Sequence, residues 1–390
     1  MTTVADLPTG GLSDTQRQIV ELAREFAREH IEPHAAEWDR TKVFPRDVID
    51  ALGKLGFLGM TVSEAYDGMG LDTLTYLLAL EEIAAADASV AVSISIQNAI
   101  PVTMLSRHGT EAQKQRWLKP LARGELLVGF ALSEPDAGSD PAGMRAQAVR
   151  DGDGWVLSGM KAWATNGGTA DLMMVMVRTD TAAARRGTKG ISTFIVPTKT
   201  PGYRPGQPED KMGLRASNTS TIALDDLRLP ADALLGDEGM GLVYALEGLD
   251  AGRLGVATQA VGIARRALEH ALVYSGERRQ FDAPIRDFQA VQFKLADMAT
   301  RIAAARALTH VAAAAKDRGE DIRQLAAMAK LFASETAMWV TTQAVQLFGG
   351  YGYMRDFPVE KLFRDAKVTE IYEGTSEIQR IVIARGLAGR

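Results

Sequence analysis

Leu126-Leu127-Val128-Gly129-Phe130-Ala131-Leu132-Ser133-Glu134-Pro135-Asp136-Ala137-Gly138-Ser139-Asp140 is where the chain changes texture. An apolar run of strand length ends in a polar loop with a helix breaker, two serines and a glycine. Upstream, from Ser13 to about Val128, the pattern is helical: Ile19, Leu22, Ala23 and Phe26 recur at the spacing of one helix face. Breaks are expected near Pro33, Pro45, Gly68–Gly70 and Pro101. Downstream to about Glu238, half of the 14 prolines fall among short apolar runs. Trp155–Gly159, Leu172–Arg178, Gly190–Val196 and Ser220–Leu229 read as strands of a sandwich or barrel, with Met173, Met174 and Met176 as core filling. Beyond Gly239 helices return, with stripes Val291, Leu295, Met298, Ile302 and Ile322, Leu325, Met328, Phe332 for a bundle to bury. The expected fold is multidomain α+β: an all-α domain (1–128), a β-sandwich or barrel (129–238) and a helical bundle (239–390).

Composition narrows the function. A net charge of -5 offers no basic excess for tracking nucleic-acid phosphates, and the absence of cysteine excludes disulfides, thiolate nucleophiles and Cys-ligated metals. MTTVADLPTGGL has neither a basic nor an apolar signal region, and no run reaches the ~18 uninterrupted apolar residues of a membrane helix. A cytoplasmic protein without membrane insertion is the expectation. No complete G-x-G-x-x-G or Walker A loop occurs, since Tyr244 stands where the glycine after Gly239-Met240-Gly241 belongs. Ser158-x-x-Lys161 lacks its companion motifs and reads as chance. His30 and His34 have no third ligand, so no metal site is expected.

Other segments carry chemistry. In Ile371-Tyr372-Glu373-Gly374-Thr375-Ser376-Glu377-Ile378-Gln379-Arg380, a carboxylate sits in a glycine-containing loop just ahead of a helix. Ser376 is expected as the N-cap, with Gln379 closing a capping box and Ile378, Ile381, Val382 and Ile383 carrying the helix. Glu373 is then either a surface glutamate or a general base held outside the regular element. The Ser133–Asp140 loop offers amides and hydroxyls to an anionic or heteroaromatic ligand, or simply joins two strands. Trp163 and Thr165 in Lys161-Ala-Trp-Ala-Thr-Asn-Gly-Gly168 share a strand face that suits either a planar cofactor or a packed core. Arg253 in Asp250-Ala-Gly-Arg253 suits a phosphorylated ligand or an ion pair. Gln346–Gly352 ends a helix in glycines.

Taken together, FALSEPDAGSD (130–140), KAWATNGG (161–168), EDKMGLRASNT (209–219), LDAGRLG (249–255), RRQF (278–281), QLFGGYGY (346–353) and IYEGTSEIQR (371–380) resemble the acyl-CoA dehydrogenase family of flavoenzymes. The likeness runs from about Leu12 to Leu387 and is nearest to the short-chain, butyryl-CoA-like branch. It implies a C-terminal four-helix bundle, non-covalent FAD, a homotetramer and an electron-transferring flavoprotein as acceptor. By this resemblance Phe130, Ala131, Leu132, Ser133, Ser139, Trp163 and Thr165 hold the flavin. Arg278, Phe281, Gln289, Gln346, Leu347, Phe348, Gly349 and Gly350 reach the adenine dinucleotide part, in the neighbouring subunit. Thr375, Ser376 and Glu377 line the same cofactor. Ser139, Asp250, Arg253, Tyr372 and Gly374 contact the acyl-CoA.

Glu373 falls on the family's base, which takes the α-proton while the β-hydride leaves for the flavin. Some members carry the base at the position of Gly252 instead, and glycine cannot serve. Asp136, Ala164 and Asp282 depart from frequent family residues without removing a group the chemistry needs. Branched-chain and glutaryl-CoA-type dehydrogenases, or an oxygen-using oxidase, are the alternatives within the family. A catalytically silent acyl-CoA-binding protein is the alternative outside its chemistry.

Overall fold

The computed structural model describes residues 11–180 and 188–389. Helices α1 (Asp14–Phe26), α2 (Ala35–Thr41), α3 (Arg46–Lys54), α4 (Thr73–Ala86) and α5 (Ala88–His108) open the chain. Ser13 and Gln16 close a capping box that starts α1. Asp87 ends α4 and caps α5 by accepting from Ser89 N and Val90 N. The expected break at Pro101 does not occur, because α5 runs straight through it. An interior proline costs a helix about 3 kcal/mol, and burial of Ile94, Ile100, Val102, Met104 and Leu105 outweighs that. By length and composition α5 could also cross a membrane, which a count of uninterrupted apolar residues overlooks; here 94% of its apolar window is buried inside the protein.

The middle region is built from β1 (Val128–Ala131), β2 (Gln147–Asp151), β3 (Gly154–Thr165), β4 (Leu172–Arg178), β5 (Ile191–Pro197), β6 (Tyr203–Pro205), β7 (Thr219–Leu229) and β8 (Leu234–Leu235). They join in one sheet of order β6-β7-β3-β1-β4-β5-β8, with β2 bridging β3 and β4. β1 pairs antiparallel with β3 and parallel with β4. All of β4 is buried, and its alternation explains how. Leu172, Met174 and Met176 enter the core shared with the helices, whereas Met173, Val175 and Val177 enter the sheet's own core around Trp155 and Phe194.

Helices α6 (Gly241–Glu277), α7 (Gln289–Asp317), α8 (Arg323–Phe348), α9 (Val359–Lys367) and α10 (Ser376–Leu387) complete the fold. On α7, Met298 and Ile302 are buried and Val291 and Leu295 half-buried. The stripe expected on α8 is displaced: Leu325 and Met328 are half-buried and Phe332 exposed. Its buried face is Ala326, Ala329, Ala333, Ala337, Val340 and Ala344, small side chains that let α8 approach its neighbours closely.

The short helix α9 joins all three regions. Lys361 Nζ lies 2.9 Å from Asp87 Oδ2 and 2.7 Å from Asp365 Oδ2. Leu214 N donates to Asp365 Oδ1 at 2.6 Å, and Arg364 pairs with Asp39 at 2.8 Å. A Cβ on Gly213 would stand 2.4 Å from Arg364 O, so the 209–219 loop seats on α9 only through glycine. Both carboxylates around Lys361 are fully buried, and removing one partner of such a group costs about 3–5 kcal/mol. Lys361→Ala is expected to lower stability by that amount in denaturant titration.

Candidate active site

The loop before α10 is built around an unusual backbone. Glu373 has φ +51° and Gly374 φ +89°. A non-glycine residue in this left-handed region costs about 1–2 kcal/mol, so surrounding contacts must hold it there. The helix cap is one of them, although it sits one residue earlier than expected. Thr375, not Ser376, is the N-cap, and its hydroxyl accepts from Ile378 N; Ser376 is the buried first residue of α10. Both are capping residue types, and the shift puts Gln379 four residues past the cap, out of capping-box register. Its amide turns back instead, donating to Glu373 O at 3.1 Å and Gly374 O at 2.8 Å. From α8, the fully buried Lys330 donates to Gly374 O at 2.8 Å. Tyr372 donates its hydroxyl to Gln259 on α6.

Held in this way, the Glu373 side chain turns inward. The residue as a whole is half-buried, but Oε2 is buried without a hydrogen-bond partner. A Cβ on Gly252 would lie 2.1 Å from that oxygen. Residue 252 must therefore be glycine for the carboxylate to fit, since side chains at 252 and 373 would compete for one volume. Burial raises the Glu373 pKa to about 7, against the pull of Lys330 and then Arg253 toward the anion. Arg253 is itself buried and paired with Asp250 at 2.5 Å. The backbone N–H of Glu373 has no acceptor among the described residues.

The 130–140 and 161–168 segments meet in the sheet. Phe130 and Thr165 are cross-strand partners, and Ala162 N donates to Ser133 O at 2.9 Å. Trp163 has φ +56° at an irregularity of β3 and is 58% exposed, and Thr165, two positions on, is half-buried. Ala131 and Leu132 are buried, Ser133 is half-buried and Ser139 exposed. Lys161, whose S-x-x-K match is chance, matters for another reason. Its buried ammonium pairs with Glu134 at 2.9 Å and donates to Leu132 O at 3.1 Å. Glu134 also accepts from Arg145 N and Ala146 N, so this pair folds the loop back onto β3. A lysine at an inward strand position is the signal for it in the sequence.

Arg278, Leu347, Phe348, Gly349 and Gly350 line a separate cavity of about 590 Å³ with the ring of Tyr351. Phe281, 90% exposed, Gln289 and Gln346 stand outside its lining. Glu373 is not part of this cavity; Thr375, Ser376 and Glu377 belong to the Glu373 loop and the first turn of α10.

Models of the N-terminal, middle and C-terminal domains of acyl-CoA dehydrogenase match residues 13–125, 129–227 and 239–388. The chain belongs to the acyl-CoA dehydrogenase family. It is 46% identical to the mitochondrial short-chain specific acyl-CoA dehydrogenase of Bos taurus over 373 residues, 96% of this chain and 90% of that one. A chain in a structure of the electron transferring flavoprotein of Acidaminococcus fermentans superposes with a TM-score of 0.95 at 46% identity, covering 97% and 98% of the two chains. A glutaryl-CoA dehydrogenase from Mycobacterium smegmatis in complex with FADH2 gives 0.91 at 34% identity, covering 97% and 96%. The family is one of flavoprotein oxidoreductases, and this chain is an enzyme of it.

Two outcomes follow from the carboxylate's packing. Gly252→Ala is expected to push Glu373 aside and cut acyl-CoA oxidation by about 10²-fold, the scale of a misplaced catalytic group, while circular dichroism stays unchanged. A folded-state pKa raised above the unfolded value means that Glu373 destabilises the fold only once pH climbs past the unfolded pKa, with the full cost above about 7. The Tm of Glu373→Gln should therefore match that of the parent in acid, exceed it by a margin that grows as pH rises from about 4.5 to about 7, and hold that margin above.

Proposed function

We propose that the protein dehydrogenates a short-chain acyl-CoA at Cα–Cβ to the trans-2-enoyl-CoA, with Glu373 as the base. The observation that carries this reading is the buried, unpartnered Glu373 Oε2 against Gly252. The 46% identity to a short-chain enzyme, against 34% to the glutaryl-CoA one, supports the short acyl group.

The residues fit a flavin. An exposed indole face at Trp163, hydroxyls at Ser133, Ser139 and Thr165, and the Arg278 cavity supply stacking, hydrogen bonds and a cation suited to an isoalloxazine and a dinucleotide. FAD held there, when bound, supplies the hydride acceptor; Thr165, Trp163 and Phe130–Ser133 would face its ring system. Arg278 and Leu347–Gly350 would hold its far end, across a subunit boundary in a homotetramer. Exposed apolar side chains on α7, on α10 and between α6 and α7, among them Phe293, Ile381 and Phe281, are consistent with such an assembly. An electron-transferring flavoprotein is the proposed acceptor and the cytoplasm the proposed location.

The protein's own part in the reaction is proton chemistry. A thioester α-proton is too weakly acidic for a solvated carboxylate, so developing charge on the thioester oxygen must be met by donors. The free N–H of Glu373 is one such donor, carried by the residue that takes the proton. Closing the acyl group over Oε2 excludes water and keeps the base strong. Asp250, Arg253, Tyr372 and Gly374 would position the CoA thioester around it.

Glu373→Gln should keep FAD and acyl-CoA binding yet lose flavin bleaching by butyryl-CoA under anaerobic conditions; bleaching near the parent rate removes Glu373 from the role. In the parent, kcat/KM should fall as pH drops below about 7, where the base becomes protonated.

A further inference from the structure

The proton chemistry above leaves Lys330 without a role. It stands on α8 within the small-residue face, flanked by Ala326, Ala329, Ala333 and Ala337, and its side chain is fully buried. Burying an ammonium is costly unless charge or hydrogen bonds answer it. Among the described residues no carboxylate oxygen lies within salt-bridge distance of Nζ; its hydrogen bond goes to a backbone carbonyl, Gly374 O, at 2.8 Å. That carbonyl belongs to the residue after the base, at the second of two consecutive left-handed positions. Gln379 converges on the same oxygen from α10, also at 2.8 Å.

The charges around this point come from several elements. Lys330 faces Glu373 first, then Arg253 on α6, Glu370 in the turn before the loop and Glu377 on α10. Glu373 in turn faces Lys330 on α8, Arg253 on α6 and the hydroxyl-bearing rings of Tyr76 on α4 and Tyr372. Arg253 already answers Asp250 at 2.5 Å, whereas Lys330 has no such competing partner within 4 Å. Burial lowers Lys330 to about 8, so it still carries its charge at neutral pH.

We propose that Lys330 is the positioning residue of the catalytic base: its ammonium anchors the Glu373–Gly374 backbone through Gly374 O, and its charge favours the ionised carboxylate inside a closed site. Gln379 shares the anchoring and brings no charge. The inference rests on the reading of Glu373 as the base. It goes beyond that reading by dividing the loop's support into a charged arm and a neutral one.

The two arms separate by substitution in the FAD-loaded enzyme. Lys330→Gln removes the charge and keeps a donor. Lys330→Met, similar in length and apolar, is the second route should the amide be poorly tolerated. Gln379→Leu removes the neutral arm alone. Protonation of Glu373 is read directly, without turnover, as the pH midpoint of its carboxylic-acid band in infrared spectra differenced against Glu373→Gln. The acid limb of butyryl-CoA oxidation gives the kinetic counterpart.

Both Lys330 variants should move the midpoint and the acid limb upward by about one pH unit, the scale of losing one nearby opposite charge. Gln379→Leu should slow turnover and leave both where they are. Unmoved midpoints in the Lys330 variants, or an equal shift in Gln379→Leu, overturn the proposal. So does failure of both Lys330 variants to fold and turn yellow, which would assign the residue to the fold. If Glu373→Gln stays active, it is the assignment of the base that fails; if it is inactive while the Lys330 variants keep the parent midpoint, only the role of Lys330 does.

Discussion

A carboxylate oxygen of Glu373 occupies the space that a Cβ at residue 252 would fill, and much of the site follows from that exclusion. Helix α6 can pass beneath the loop only with glycine there, and the loop crosses it with Glu373 in a left-handed backbone. That backbone turns two successive residues away from regular hydrogen bonding. Donors from α8 and α10 supply what the loop lacks. The result is a carboxylate fixed in place yet short of partners, a state that stability alone does not favour.

The same economy appears where the loop's supports originate. Helix α9 lies just upstream of Glu373, and its Lys361, Arg364 and Asp365 bind residues from both the N-terminal helices and the 209–219 loop. Glu373 is therefore referenced to all three regions through one short helix. The Glu134–Lys161 pair acts in parallel on the sheet side, fixing the loop that leads from β1.

Much of this is legible in the sequence. A strand buried on both faces reads as a short apolar run bounded by turn residues, so Leu172–Arg178 reads with the bounds it has as β4. Glu373 stands out because a glycine and two capping residue types punctuate the chain around it. What escapes has a common cause, since local pattern says nothing about distant partners. Pro101 reads as a break until the surrounding core is known. Thr375 and Ser376 are equivalent caps until Gln379 finds the carbonyls of Glu373 and Gly374. Lys361 meets Asp87 across 274 residues of sequence. Lys330 leaves a trace, being spaced with Ala326, Ala333 and Ala337 on one apolar face, but a lone lysine in an alanine-rich helix reads as a solvent-facing residue.

Strand β4 bears on what the three textures mean for the molecule. Its odd and even side chains complete two different cores, so neither core can be assembled while the other is missing a wall. The boundaries seen along the sequence mark changes of architecture, not units that stand alone. Folding and unfolding of the sheet and of the helices around it are coupled through the strands they share, β4 together with β5, whose Ile191 and Ile195 face the helices while Phe194 and Val196 face the sheet's own core.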